Sequence, residues 1–415
     1  MTAGLFWKGL ESSLPYNTLL QTSGKRVLGG GNLTCTFDGD YIRFFSTLVT
    51  CLLNDVTLTL FDSPISRSKM SVVNQVPDPV SKIIIDDNSK LLQRETILHI
   101  TKSNCRLVTY TSGTTGIPKR IIHSNGTLLR NIKIGAQYRN NVWGFAYNPA
   151  HYAGIQVLLQ AFLNKNLLVQ LIGATIGEIE SRLNKFQISH LSATPSFIRN
   201  YLLPCKGIFP SVRSIVSGGE AFDFSLLTEL KTKFPNARIM SIYALTEAGS
   251  LLTAIDGIFN LTDRINKLIR VSDCNELLVS TTLMNQGDIT IEDEWYHTGD
   301  IVEFINSKDF RIIGRRSDIV NIGGLKVNPF EVEHEILKID GVKDAAVCVR
   351  KNSVTGSILV SKLVIQKPLS EDNCEITITR KLGTCLQRWQ IPKAFRVVER
   401  IEYTESGKKV RSWKS

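Results

Sequence analysis

The chain has 415 residues, of which 43% are hydrophobic and 21% are charged, and its formal net charge is +11. This length allows a large core divided into two or three lobes. The longest apolar stretch, residues 44–61, is interrupted by Asn54-Asp55 and several threonines. That excludes a membrane span and predicts a helix followed by a strand. Residues 1–8 lack the features of a signal peptide, so a cytoplasmic protein is expected.

The cysteines and the basic residues narrow the function classes further. Eight cysteines are scattered without a Cys-x-x-Cys pair or a histidine at zinc spacing, which predicts reduced core thiols. Residues 316–415 contain 18 Lys and Arg against 12 Asp and Glu. This excess is either a solvated basic surface or attraction to an acidic partner, such as a nucleotide, coenzyme A or an acidic carrier protein. No nucleic-acid-binding motif appears, so nucleic acid is not an expected partner.

Residues 1–100 are predicted to form a reduced N-terminal α/β region. Residues 35–37 and 41–45 have strand-like or apolar patterning, and residues 56–61 read as a buried strand. The triple glycine at 29–31 lacks the strand–helix context of a dinucleotide fingerprint and is predicted to be a turn.

A loop rich in hydroxyl groups and glycine follows the apolar residues Leu107 and Val108. Its hydroxyls, backbone N–H groups and lysine could bind phosphate oxygens, whereas the alternative is an ordinary polar turn. It ends in Gly-Ile-Pro-Lys and is therefore not a Walker A loop. The candidate binding residues are Thr111, Ser112, Gly113, Thr114, Thr115, Gly116 and Lys119.

The next 130 residues alternate between predicted strands and helices. Helices are expected at 126–134 and 155–162, and strands at 145–147, 188–193, 214–216 and 239–242. His151 precedes the second of these helices, and Thr194-Pro195-Ser196 resembles a strand-to-helix turn. Two of the strands lead into candidate site segments, Ser217–Ala221 and Tyr243–Glu247. Taken alone, Thr246-Glu247 could be a helix cap.

The last third of the chain carries four further motifs. A strand is expected at 275–279, followed by Trp295-Tyr296-His297-Thr298-Gly299-Asp300, by Phe310–Arg315 and by a long segment from Arg316 to Glu333 that contains Gly323-Gly324. Helices are then expected at 331–338 and 378–386, and strands at 345–349 and 358–365. The end of the chain reads Thr404-Glu405-Ser406-Gly407-Lys408-Lys409-Val410-Arg411, which alone would suggest a solvated tail.

In this order, the segments resemble the adenylate-forming superfamily, which includes acyl- and aryl-CoA ligases, luciferases and the adenylation domains of peptide synthetases. The resemblance extends over about residues 40–415, and in length the chain is most similar to short aryl-acid CoA ligases. It implies an α/β fold with a large N-terminal domain of βαβ-type subdomains, residues 1–315. A small mobile α+β C-terminal domain, residues 316–415, would follow.

The resemblance also implies a role for each matching residue. The loop from Thr111 to Lys119 would hold the β- and γ-phosphates of ATP, Thr246 the α-phosphate and Glu247 a Mg²⁺ ion, with Lys408 as the catalytic lysine. The other implied positions are the adenine-side residues Gly219, Glu220, Ala221, Tyr243 and Ile312, the ribose or phosphate ligands Asp300 and Arg315, the acid-pocket residues His151, Gly218, Ala244 and Leu245, the hinge Ser317, and the thiol channel Gly323-Gly324. The chain departs from the family pattern at Ala244, usually glycine, and at Ser317, usually Asp or Lys.

The implied function is ATP-dependent activation of an aryl or other compact carboxylic acid to an acyl-adenylate, followed by transfer to a thiol. Coenzyme A is the expected acceptor, with the phosphopantetheine arm of a carrier protein as the alternative. A catalytically inactive nucleotide-binding relative would be expected to lack Lys408, Glu247 or Asp300, and all three are present. A phosphotransferase using only the loop would not need the Thr-Gly-Asp and Ser-Gly-Lys segments.

Overall fold

A computed structural model describes residues 5–10, 12–16, 18–19, 26–27, 32–62, 85–86, 100–111, 119–220, 226–255, 257–262, 265–287, 294–352, 356–402 and 409–413. The chain divides into two compact units. Unit 1 comprises Met1–Gly219, Leu230–Ile255 and Thr282–Ile291, and unit 2 comprises Glu220–Glu229, Asp256–Thr281 and Glu292–Ser415. The expected division into 1–315 and 316–415 stays a prediction.

The strands are numbered in chain order. They are β1 Leu5–Lys8, β2 Ser13–Pro15, β3 Arg26–Val27, β4 Asn32–Thr36, β5 Thr57–Phe61, β6 Ile85–Asp86, β7 Arg106–Thr111, β8 Lys119–Ser124, β9 Val142–Phe145, β10 Leu167–Gln170, β11 His190–Ala193, β12 Ser214–Gly218, β13 Arg238–Leu245, β14 Gly249–Ile255, β15 Phe259–Asn260, β16 Ile269–Val271, β17 Glu276–Ser280, β18 Gln286–Gly287, β19 Trp295–Phe304, β20 Asp309–Arg315, β21 Val320–Ile322, β22 Leu325–Val327, β23 Val342–Asn352, β24 Gly356–Ile365 and β25 Phe395–Val397.

The α-helices are numbered in the same way. They are α1 Tyr41–Asn54, α2 Asn125–Leu129, α3 Tyr152–Leu163, α4 Ile176–Lys185, α5 Pro195–Phe197, α6 Leu226–Lys233, α7 Pro329–Leu337 and α8 Glu371–Leu382. The single turn α5 continues as a π-helical segment, Ile198–Leu202.

Unit 1 contains two sheets that place the candidate site. The larger has the order β14-β13-β12-β11-β9-β10-β1-β2, in which the six inner strands are parallel and both edge strands antiparallel. The second has the order β18-β8-β7-β5-β4. Crossover helices such as α3, between β9 and β10, explain how neighbouring strands run parallel.

An aromatic cluster forms much of the core of unit 1. Trp7 packs edge-on against Phe45 and Phe145, and Phe6 packs edge-on against Phe45 and Phe162. All five side chains are at most 1% exposed. The cluster joins α1, α3 and strands β1 and β9, so it fixes the sheet whose carboxyl edge carries the site.

Unit 2 contains a five-stranded antiparallel sheet and the C-terminal α+β elements. The sheet has the order β15-β20-β19-β17-β16, and β23-β24-β25 form a separate three-stranded sheet. Val332 and Ile336 of α7 and Ile378 of α8 are fully buried in one cluster with Val347 of β23 and Leu363 of β24. Asn328 caps α7, and Pro329 stands at its first position, so the helix predicted at 331–338 begins two residues earlier.

Most predicted elements are present, with three corrections. Residues 41–45 begin α1 rather than a strand, because Asp40 caps the helix by accepting from the N–H of Arg43. The predicted helix at 126–134 ends at Leu129, and the one at 378–386 instead spans Glu371–Leu382, behind a capping box at Ser370. The turn predicted at 29–31 lies outside the described residues.

The structure also bears on two expectations about the state of the cysteines and about membrane-spanning helices. All eight cysteines are free, as predicted, but Cys274 and Cys385 are exposed and so are not core thiols. Within the described part of the chain, no helix combines the length and the apolar character that crossing a membrane requires.

Candidate active site

The carboxyl ends of β12 and β13 in unit 1 bring two predicted segments side by side. The strands are parallel neighbours, with Gly218 opposite Ile242. A Cβ on Gly218 would lie 3.3 Å from the carbonyl oxygen of Ile242, and Gly219 has a φ of +86°. Glycine therefore lets this edge stay open directly beside Tyr243. Open α/β sheets bind ligands at this end of their strands.

Thr246 and Glu247 occupy the tight turn between β13 and β14. The strand continues three residues past its predicted end at Ile242, and Leu245 pairs with Gly249 across the turn. Tyr243 is buried, whereas Thr246 and Glu247 are half-buried. The register shifts between Tyr243 and Ala244, where the family pattern has glycine. A turn in a hairpin, rather than a helix cap, presents the Thr-Glu pair.

Side chains from elsewhere in unit 1 hold the backbone of this turn. Asn285 donates its Nδ2 to the Thr246 carbonyl at 3.0 Å, and its backbone N–H to the Glu247 carbonyl at 2.6 Å. Arg130 donates to the Ala248 carbonyl at 3.0 Å, and Asn131 to the Ser250 carbonyl at 2.7 Å. The turn is thus fixed by donors that leave the Thr246 and Glu247 side chains out of these contacts.

His123 lies fully buried behind Asn285. Its Nδ1 is 3.0 Å from Asn285 Nδ2, its Nε2 is 3.0 Å from Thr109 Oγ1, and its ring stacks on Tyr152. Burial lowers the pKa of His123 to about 4, so the imidazole is neutral at physiological pH.

The base of the predicted phosphate loop is described, and its tip is not. Thr111 ends β7 and pairs with Lys119, the first residue of β8, so the loop closes a hairpin. Ser112, Gly113, Thr114, Thr115 and Gly116 lie outside the described residues, as do Ala221 and Lys408. Their phosphate, adenine and catalytic roles stay predictions.

His151, the predicted acid-pocket residue, precedes α3 and faces a carboxylate. Its Nε2 is 3.1 Å from Oδ2 of Asp62, which follows β5. Both side chains are about one-third exposed. Asp62 therefore holds the imidazole in one orientation while leaving part of the ring open.

In unit 2, Asp300 and Arg315 face each other on β19 and β20. Arg315 Nε donates to Asp300 Oδ1 at 3.0 Å, and Asp300 is 5% exposed. Gly299, with a φ of +75°, turns the chain just before Asp300. The two residues implied to bind the ribose or phosphate are therefore neighbours, and their roles toward ATP stay predictions. Ile312 lies half-buried on the same strand as Arg315.

A buried carboxylate supports this turn. Glu276 is 3% exposed and accepts from the Gly299 N–H at 2.8 Å, and it lies 3.0 Å from the guanidinium of Arg316. Arg316 begins the short 3₁₀ helix that contains the predicted hinge residue Ser317. One carboxylate therefore contacts both the Thr-Gly-Asp turn and the predicted hinge segment.

The two C-terminal motifs are also located in unit 2. Gly323 and Gly324 form the turn between β21 and β22, with φ of +59° and +88°. Beyond Lys408, Lys409 is buried and donates to Glu333, Asp344 and the Ala345 carbonyl at 2.6–2.9 Å. The residue after the predicted catalytic lysine is thus an anchor and not part of a solvated tail.

The residues implied to hold Mg²⁺ fit that ion in its usual protein setting. No group of three or more His, Cys, Asp or Glu able to hold a metal occurs among the described residues. Mg²⁺ is commonly bound through one or two carboxylates together with substrate phosphates and water. The single half-buried carboxylate of Glu247 therefore suits a metal that arrives with ATP.

Asn285, His123, Glu276 and Lys409 were missed by the sequence interpretation. Lys409 stands in the terminal motif but was not given a role there, and the other three lie on strands or beside them, where polar residues usually face solvent. The only available signal was a polar residue within an apolar context, as for His123 in Arg120-Ile121-Ile122-His123.

Solved structures share this fold across the chain. The o-succinylbenzoate–CoA synthetase from Bacillus subtilis, in complex with its acyl-adenylate intermediate, is similar with a TM-score of 0.71 and 18% identity, over 98% of this chain and 94% of that one. An anthranilate–CoA ligase in complex with anthranoyl-AMP gives a TM-score of 0.73 and 15% identity, over 98% and 92% of the two chains. The predicted fold of the adenylate-forming enzymes is confirmed.

The family follows from the sequence. The model of the AMP-binding enzyme family matches residues 50–275, and the model of the AMP-binding enzyme C-terminal domain matches residues 331–408. The chain belongs to the AMP-binding enzyme family. Curated relatives include the 2-succinylbenzoate–CoA ligases of Listeria monocytogenes, 24% identical over 74% of this chain and 68% of the relative, and of Bacillus subtilis, 24% identical over 73% and 67%.

Proposed function

We propose that this enzyme uses ATP to activate a compact aryl-type carboxylic acid and transfers the acyl group to coenzyme A. The observation that carries the proposal is the edge of the unit 1 sheet. There the open Gly218-Gly219 segment lies beside Tyr243, and the Thr246-Glu247 turn is fixed by hydrogen bonds, in a chain of the AMP-binding family.

In the first step a carboxylate oxygen attacks the α-phosphorus of ATP, and the bond to the pyrophosphate leaving group breaks. Thr246 donates to the α-phosphate, Glu247 binds the metal, and Lys408 lies near the charge that develops in the transition state. Mg²⁺ supplies positive charge to the phosphate oxygens. Positioning and charge stabilisation are the main requirements of such a step.

In the second step the thiol sulfur attacks the carbonyl carbon of the acyl-adenylate. The bond from this carbon to the phosphate oxygen breaks, AMP leaves and the thiol proton passes to solvent. We assign the Gly323-Gly324 turn to the approach of the thiol, because no side chain narrows it: a Cβ on Gly324 would meet no atom within 4 Å. Ser317 is the proposed hinge between the two steps.

Support for an aryl acid comes from the names of the relatives and from His151. The relatives act on 2-succinylbenzoate, and one structural neighbour is an anthranilate–CoA ligase. In this chain His151 is oriented by Asp62 with part of its imidazole open, and we assign it to the acid pocket together with Gly218, Ala244 and Leu245. We propose that the acid is flat and compact enough to lie between these residues.

The relatives are named CoA ligases, which favours coenzyme A over a carrier protein. The absence of disulfides among the eight cysteines supports a cytoplasmic location, where thiols stay reduced.

An acid-dependent exchange of labelled pyrophosphate into ATP tests the first step. Benzoate, anthranilate, 2-succinylbenzoate, acetate and an amino acid should be compared as the acid. We expect an aryl acid to support the fastest exchange of pyrophosphate. Release of ADP instead of AMP would contradict the proposal. Thioester formation that saturates at micromolar coenzyme A, about the lower end of ordinary KM values, would identify the acceptor.

A further inference from the structure

A short segment of unit 1, residues 285–287, contacts two parts of the proposed ATP site. On one side, Gln286 and Gly287 form β18 and pair with Ile122 and Ile121 of β8, the strand that leaves the phosphate loop. On the other side, Asn285 is bonded to the turn that carries Thr246 and Glu247. The segment therefore joins the phosphate-loop hairpin to the Thr-Glu turn.

The approach of this segment to β8 is unusually close. A Cβ on Gly287 would lie 2.1 Å from the carbonyl oxygen of Arg120, and Gly287 has a φ of +141°. Both features require glycine, because a side chain would collide with the backbone of β8. The spacing between β18 and β8 is thus fixed next to Asn285.

The hydrogen bonds define the orientation of the Asn285 amide. The Thr246 carbonyl can only accept, so the atom 3.0 Å from it is the NH₂ group. Its second hydrogen points to Nδ1 of His123, which accepts because burial keeps that ring neutral. The remaining ring hydrogen, on Nε2, is donated to Thr109 Oγ1 on β7.

The buried amide of Asn285 lowers the stability of the fold, because one of its polar atoms lacks a hydrogen bond. Asn285 is 6% exposed, and its Oδ1 atom is buried without a hydrogen-bond partner in the described part of the chain. An apolar side chain of similar size would fill the same space without an unsatisfied acceptor. Such an apolar side chain could not donate hydrogen bonds to both the Thr246 carbonyl and the ring of His123.

We propose that Asn285 is a positioning residue that holds the Thr246-Glu247 turn at a fixed place relative to the phosphate-loop hairpin, with His123 and Thr109 orienting its amide. The inference rests on the proposed function, in which the turn binds the α-phosphate and Mg²⁺ and the loop binds the other two phosphates. It adds three residues that act through others and touch neither ATP nor the acid.

Asn285→Leu tests the proposal, because leucine retains the volume and removes the side-chain donor. Acid-dependent pyrophosphate exchange should fall about 10- to 100-fold, and the Mg²⁺ concentration for half-maximal rate should rise several-fold, as for other residues that orient metal ligands. The KM for the acid should not change. Asn236→Leu is the matched control, because Asn236 donates to the Pro210 carbonyl at 2.9 Å on the surface.

His123→Phe is the second variant, needed if Asn285→Leu does not fold. It keeps an aromatic ring against Tyr152 but removes the acceptor for Asn285, so the Mg²⁺ requirement should shift in the same direction by a smaller factor. An unchanged Mg²⁺ requirement in a folded variant would overturn the proposal, as would a thermal-stability loss with no kinetic change.

Calorimetric titration with MgATP separates this inference from the proposed function. If the wild-type protein exchanges pyrophosphate with no acid, the proposed function fails. Weaker MgATP binding by Asn285→Leu than by Asn236→Leu would still support the positioning role, and equal binding would reject it.

Discussion

Glu247 stands in the turn between β13 and β14, with its backbone carbonyl already bonded to the N–H of Asn285. The fold of the turn therefore depends on hydrogen bonds to its backbone carbonyls and not on the carboxylate. This separation between the residue that shapes the turn and the residue proposed to bind the metal allows the two roles to be measured independently.

Glu247→Gln should abolish most Mg²⁺-dependent turnover while leaving thermal stability nearly unchanged. The amide keeps the shape of the side chain but removes the negative charge that a hard cation prefers. The rate should fall by about 10²–10³-fold, typical for loss of a charge-stabilising group. Thermal unfolding measured beside the exchange assay is the check, and a collapse of stability would make Glu247 a structural residue.

His123 should make the protein less stable under mild acid. Its pKa is ordinarily 6.5 and is lowered by burial to about 4 in the folded chain. Between these pH values the unfolded chain binds a proton at His123 and the folded chain does not, so the free energy of unfolding falls as the pH falls. The contribution lost over this interval is about 3 kcal/mol.

His123→Gln removes this titration. Urea unfolding at pH 7, 6 and 5 should show a shallower loss of stability in the variant than in the wild type, even if the variant is weaker at pH 7. Parallel curves for the two proteins would show that His123 is not the group responsible. His190, whose pKa is also lowered to about 4, contributes equally to both curves.

At the scale of elements, the segment 409–411 is tied to α7 and β23 by buried charges. Lys409 Nζ has three acceptors, on Glu333, Asp344 and Ala345, which equals the number of its hydrogens. Arg411 contacts Glu333 at 3.2 Å and lies over the ring of Phe330. The segment is therefore an ordered part of unit 2 and is held by charge pairs on two other elements.

Lys409→Met should destabilise the C-terminal elements by about 3–5 kcal/mol, because it leaves buried carboxylates without their partner. Lys338→Met is the control in the same unit, since the Lys338–Glu335 pair is exposed and worth at most about 1 kcal/mol. Urea unfolding of both variants gives the comparison. Equal losses would mean that the buried cluster contributes no more than a surface pair.

The sequence predicted elements well where a cap or a periodic pattern defined them. The helix predicted at 331–338 is present as α7, which begins at Pro329. Residues 41–45 were misread because Tyr, Ile and Phe favour strands, whereas the Asp40 cap and packing against the core select a helix. β13 extends beyond Ile242 because pairing with β14 continues it, and such pairing is not visible in a local pattern.

For the site, short motifs in the sequence supplied the candidate residues, and the structure shows which of them lie close together. Asp300 and Arg315 are adjacent although 15 positions apart, and Gly218 and Tyr243 lie on neighbouring strands. The supporting residues could not be predicted in this way. Asn285 and His123 are 162 positions apart, and only the pairing of β18 with β8 brings them together.

For the whole molecule, the proposed reaction consists of two half-reactions, and Lys408 is proposed to act only in the first. Lys408→Ala should lower adenylate formation by about 10²–10³-fold, since it removes a charge that acts in that transition state. Thioester formation from a supplied acyl-adenylate should be largely retained. Rapid-quench measurement of each half-reaction tests this, and equal losses in both would contradict the assignment of Lys408 to the first step alone.

In the proposed reaction the acid is activated by direct attack of its carboxylate on the α-phosphorus. The most direct measurement supplies the acid with ¹⁸O in both carboxylate oxygens, together with ATP and coenzyme A, and follows the label by mass spectrometry. We expect one ¹⁸O in the phosphate of AMP and one in the thioester carbonyl. Label in inorganic phosphate with release of ADP, or AMP without label, would contradict it.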